Sequence, residues 1–94
     1  MHEIKVDYHT YMGIRTGVAS ALIVDESEKY LAHSEIIITC SEHPDTEYPM
    51  DSVVCSINTI RSGKDVSGLK KDFALAFVSV VRTVPSSEVL QLLN

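Results

Sequence analysis

Residues 18–25 read "VASALIVD", a run that is apolar on both alternating sides of an extended backbone. A sheet strand with one wet face alternates apolar and polar residues, whereas a strand that is oily on both sides needs cover on both. A second run, "FALAFVSVV" at 73–81, is apolar all round and calls for burial whether it is helical or extended. The chain has 94 residues, enough for one modest core and no second one. The sequence therefore reads as a single domain, 1–94, with more oily surface than it can hide alone.

Local patterns suggest how the chain is arranged. Ile4, Val6, Tyr8, Thr10 and Met12 alternate with Glu3, Lys5, Asp7, His9 and Tyr11, the period of a half-buried strand. "GIRTG" reads as a turn, 18–25 as an interior strand and "DESEK" as a second turn. "YLAHSEIIITCS" then gives a third strand, since Ile36, Ile37, Ile38 and Thr39 favour extended structure. Short connections require antiparallel neighbours, so these segments predict a three-stranded antiparallel β-meander. Further on, Met50, Val53, Val54, Ile57 and Ile60 recur at helical spacing up to a stop at Ser62-Gly63. Leu69, Phe73, Ala76, Phe77, Val80 and Val84 predict a second helix over 69–84, with a strand as its rival because Val78, Val80 and Val81 are β-branched. After Pro85, "SSEVLQLL" restarts as a third. The expected fold is α+β, a two-layer sandwich with two or three helices packed on one face of the meander.

Composition narrows the function. Hydrophobic residues make up 45% and charged residues 22%, values of an ordinary soluble globular protein. No apolar run approaches the ~18 residues needed to cross a bilayer, and the N-terminus carries charges where a signal peptide is oily, so a cytoplasmic location is expected. Cys40 and Cys55 read as free thiols. Residues 1–51 carry ten acids against three bases, and residues 52–94 three acids against five bases. An acidic front half repels phosphates, so no nucleic acid is expected, and it suits a protein partner with a basic surface.

The densest polar stretch is "CSEHPDTEYPMD", Cys40–Asp51. Zinc needs three or four Cys or His ligands at tight spacing, and this stretch offers one of each. Calcium loops place acids at alternate positions with a glycine at the bend, which is missing here. Acids and prolines ahead of a helix complement its dipole, so the stretch is read as a solvated helix start. Neighbouring pairs such as Asp7 with His9 have little specificity for general-base chemistry. The order of strand, two further antiparallel strands and a helix opening near an acid is similar to the front half of ribonuclease H-like nucleases, but a later acid-bearing strand is missing. The residues thus point to a small acidic non-enzymatic interaction module, a regulator or inhibitor, dimeric and without cofactor. Its expected surface is Glu3, Asp7, His9, Tyr11, Glu42, Asp45 and Glu47. The alternative is a metal-dependent hydrolase using Asp7, Glu47 and Asp51.

Overall fold

The computed structural model describes residues 1–40 and 51–93. Its elements are β1 (His2–Val6), α1 (Tyr8–Arg15), β2 (Ala21–Asp25), β3 (Glu35–Cys40), β4 (Ser52–Ser62), β5 (Phe73–Val84) and α2 (Val89–Leu93), with single 3-10 turns at Glu26–Glu28 and Ser86–Glu88. The strands form one mixed sheet in the order β1-β3-β4-β5-β2. β1 runs parallel to β3, and every other pairing is antiparallel. This overturns the three-stranded meander with helices on one face. β1 and β2 are not neighbours but the two opposite edges of the sheet, and α1 carries the chain from one to the other.

The first departure comes at Asp7. Alternation continues formally from Ile4 to Met12, but Asp7 takes an extended conformation at the N-cap and its Oδ1 accepts a hydrogen bond from the Thr10 amide at 2.7 Å. That bond satisfies an orphan donor of the first helical turn, so the backbone winds from Tyr8 onward. Tyr11 and Ile14, three apart, then share the buried side of α1. The helix ends at Thr16, and Gly17 follows with φ +81°, a conformation that glycine adopts without a Cβ clash.

The second departure is larger. Residues 52–62 and 73–84, expected as helices, are the two longest strands and pair along almost their whole length. A strand shows period two only if one face is wet, and both faces of β4 are covered over Ser52–Ile57. Val53, Cys55 and Ile57 face α1, while Val54 faces α2. The resulting unbroken apolar run contains the three-and-four spacing of a helix by coincidence. The β-branched residues Val53, Val54 and Ile57 decide against that spacing. In 69–84 the strand rival is the one that forms, and the third expected helix shrinks to the 3-10 turn and the five residues of α2.

Two irregularities shape the sheet. Between the pairs Val54↔Arg82 and Cys55↔Val80 one extra residue, Val81, is inserted in β5; between Ile57↔Val78 and Thr59↔Phe77 the extra residue is Asn58 in β4. Bulges bend the strand that carries them and increase its twist. The sheet curls around α1 until residues of both edge strands, Lys5 and Val6 of β1 and Ala21 to Ile23 of β2, line one cleft. Inside the curl, Tyr11 and Ile14 meet Leu22, Val24, Ile36, Ile38 and the inward residues of β4 and β5. Outside it, α2 lays Val89, Leu92 and Leu93 over Ile37, Val54 and Val84.

The turn between β4 and β5 depends on Gly63. Its amide donates to the Phe73 carbonyl at 2.8 Å, and a Cβ at this position would run into the carbonyl oxygens of Lys70 and Phe73. Backbone cannot move aside as a flexible side chain can. Gly63→Ala is expected to destabilise the protein by on the order of 3 kcal/mol, the upper end for overpacking, in a urea titration read by circular dichroism. Gly68→Ala would meet no atom and is opposed only by its φ of +87°.

Candidate functional site

The expected acidic surface does not come together as one face of a strand. Glu3 remains on β1 and is half-buried, with one carboxylate oxygen accepting from the Thr39 hydroxyl at 3.1 Å. Asp7 caps α1, so His9 and Tyr11 belong to the helix. His9 is exposed with its ring 6.1 Å from that of Tyr8, whereas Tyr11 is wholly buried. The Tyr11 hydroxyl donates to the backbone carbonyl of Asp51 and accepts from Nη1 of Arg15 at 3.0 Å. Burial raises the Tyr11 pKa, partly offset by the Arg15 charge. Glu42, Asp45 and Glu47 lie outside the described residues, which leaves Asp7 and the exposed Asp51 of the alternative metal set. Among the described residues no three His, Cys, Asp or Glu side chains are placed to hold a metal ion.

The two thiols differ in setting. Cys55 is buried between Val53 and Ile57 on the inner face of β4, and desolvation of the thiolate pushes its pKa from 9.0 to about 11. A nucleophilic cysteine needs the opposite, a cationic or helix-terminal neighbour that favours the thiolate. Cys40, at the end of β3, is half-buried.

The outer face of the sheet is where surface chemistry collects. A row of polar residues crosses it, Glu35 beside Ser56 beside Ser79, and Asn58 Nδ2 adds a 2.7 Å hydrogen bond to the Ser79 hydroxyl. On one side of that row α2 roofs the sheet. On the other side the register aligns Thr59, Phe77 and Ala21, then Arg61, Leu75 and Ile23, with Phe73 and Asp25 beyond. Ile23 is 60% exposed and Phe73 37%, while Leu75 and Phe77 are half-buried. Two hollows open beside this strip. A groove of about 310 Å³ runs past Ile23, Leu69 and Phe73 with Lys70 on its wall. The cleft between the edge strands, about 480 Å³, has Ile23 and Leu75 on one side and Lys5 and Asp7 on the other. Open, polar-rimmed apolar strips of this kind suit a macromolecular partner better than a small ligand, which needs an enclosing cavity.

None of Ile23, Phe73, Leu75 or Phe77 was among the expected site residues. The signal for them was present in the two runs that are oily on both sides; what the pattern does not carry is that these runs pair with each other as β2 and β5. No family model and no curated protein matches the chain. Among the described residues no helix is long and apolar enough to cross a membrane.

Two outcomes test this description. In a Cys40→Ser background the Cys55 thiol is expected to react with iodoacetamide at least ~100-fold more slowly than a free thiol at pH 8, from its raised pKa alone, and at the full rate once the protein is unfolded. The hydrogen bonds from Thr10 hold the Asp7 carboxyl below its ordinary 3.8. A depressed pKa contributes stability that is fully present above the ordinary value and lost as pH falls through the folded one. Asp7→Asn keeps a capping oxygen but has no charge to titrate. It is expected to flatten the acid limb of a thermal-stability profile below about pH 4, leaving neutral stability close to that of the parent.

Proposed function

We propose that the protein is a small non-enzymatic interaction module that works as a homodimer and presents acidic residues to a partner with a basic surface, as a regulator or inhibitor does. The observation that carries this reading is the half-roofed outer face. A chain that spends α2 on covering Ile37, Val54 and Val84 leaves Ile23 and Phe73 exposed and Leu75 and Phe77 only half-buried on the same face. Covering such a strip is worth about 25 cal/mol for each Å² of apolar area removed from water, so a neighbour that covers it is bound in preference to solvent.

The acidic side of the reading rests on charge. Asp7 is exposed, and Asp25 and Glu28 are exposed around the 3-10 turn that follows β2. A basic partner would be steered toward them, with binding that weakens as salt screens the field. Light scattering is expected to give twice the chain mass of 10.4 kDa. A pull-down from the native host is expected to recover a basic protein at low salt and lose it at high salt. A strict monomer that recovers no partner would remove the reading.

A further inference from the structure

Among the described residues the open edges of the sheet are not equally defended. β1 carries Glu3 and Lys5 among its five residues. Residues 79–83 of β5, beyond the reach of β2, carry the Val81 bulge and Arg82. Residues 58–62 of β4, beyond the reach of β3, carry the Asn58 bulge and Arg61. Charges and bulges are the usual devices that stop a free edge from taking on another strand. β2, "ALIVD", has no bulge against β5, no proline and no charge before its last residue. It is an undefended apolar edge.

The direction of its backbone groups follows from the register. In an antiparallel pair, residues that bond across the ladder alternate with residues that do not. The Ser20 carbonyl accepts from the Val78 amide at 2.8 Å, and the Glu26 amide donates to the Asp72 carbonyl at 3.1 Å. Ser20, Leu22, Val24 and Glu26 therefore turn their backbone groups toward β5. Ala21, Ile23 and Asp25 turn theirs outward, where β2 has no strand neighbour among the described residues.

We propose that β2 is a homotypic pairing edge: two copies of the chain join β2 to β2, antiparallel, about a two-fold axis at Ile23. This rests on the interaction-module reading and names its surface and its partner. The axis sets Ile23 against the partner's Ile23 and Ala21 against the partner's Asp25. Every outward residue then meets another outward residue, three pairs that exchange two backbone hydrogen bonds each. Shifting the register by one residue would set outward groups against inward ones and form none, and centring it on Asp25 would oppose two carboxylates. At the chosen register the side chains also match. Ile23, the most exposed apolar residue of the strip, packs on its own copy over the outer face, and Leu22 meets the partner's Val24 on the inner side. The partner's Asp25 arrives opposite Ala21, in the cleft that Lys5 lines; its Oδ1 is held by the Ser27 amide and hydroxyl, so Oδ2 is the oxygen that pairs with Lys5, twice by symmetry. Asp7 lines the same cleft, but its Oδ1 is turned to the Thr10 amide. The product is a continuous sheet running β5-β2-β2-β5 through the seam, with Leu75 and Phe73 flanking it on the outer face.

The test uses the whole chain. Ile23→Pro removes an amide that β5 does not use, and an edge position whose N–H faces outward tolerates proline. Ile23→Lys places a charge on the edge and guards against a folding defect in the first variant. Each is expected to raise the dimer dissociation constant at least tenfold in sedimentation velocity, with the circular dichroism of the parent monomer retained. In the parent, the Ile23 amide is expected to become protected from hydrogen exchange as concentration rises. A dimer that both variants leave intact, with the Ile23 amide exchanging freely, would overturn the edge proposal and leave the module reading standing on another surface. A monomer that recovers a partner overturns the edge proposal together with the homodimer, and leaves the interaction module with its basic partner standing. Protection of Ile23 only when a foreign protein is added would assign the edge to that protein's strand and overturn homotypic pairing.

Discussion

The β4–β5 hairpin is the constraint from which the rest of the architecture follows. Its two strands pair from Ser52↔Val84 to Ser62↔Ala74, the longest ladder among the described residues, with β3 on one side of it, β2 on the other and β1 added beyond β3. Without its bulges at Asn58 and Val81 this ribbon would be a long twisted slab, and a single eight-residue helix could not cover one face of it. The two insertions bend the slab inward, so that Tyr11 and Ile14 reach residues from β2, β3, β4 and β5 at once. Curvature thus substitutes for a second layer in a chain too short to build one. Tyr11 fixes the helix within the curl through its bond to the Asp51 carbonyl, at the threshold of β4, while Arg15 one turn along holds the same hydroxyl.

What the sequence reveals of this fold divides by mechanism. β2 and the turn after it were legible because a β-branched run ended in a cluster too charged to bury. β3 is legible in Ile36 to Thr39, though the pattern runs on from Tyr30 while the strand starts at Glu35. α1 was hidden because Tyr8, Thr10 and Met12 prolong the alternation of β1 by chance, and only the capping bond of Asp7 reveals the switch. β4 and β5 mislead for a deeper reason. Periodicity reports which faces are wet, and residues covered on both faces have no wet side to report, so helical spacing in Val53, Val54 and Ile57 carried no information. Strand order was beyond reach in principle, since nothing local states that β1 should run beside β3 instead of β2. The candidate surface fared likewise: the two oily runs were recognised, but their pairing, which gathers Ile23, Leu75 and Phe77 into one strip, is a long-range fact.

The outer face shows how two apolar regions on one sheet can have different fates. Val54 and Phe77 both lie on that face, yet the polar row of Glu35, Ser56 and Ser79 stands between them, and the Asn58 amide anchors one end of the row. The row coincides with the Asn58 insertion, one of the two bulges that bend the sheet. A helix of five residues is about 7 Å long at 1.5 Å per residue, too short to cross such a ridge. The roof therefore stops at the row, and the strip beyond it is uncovered as a consequence of geometry. The same bulge that lets the sheet enclose α1 on its inner side exposes Ile23 and Phe73 on its outer side, so the capacity to bind a neighbour is a by-product of how this short chain makes its core.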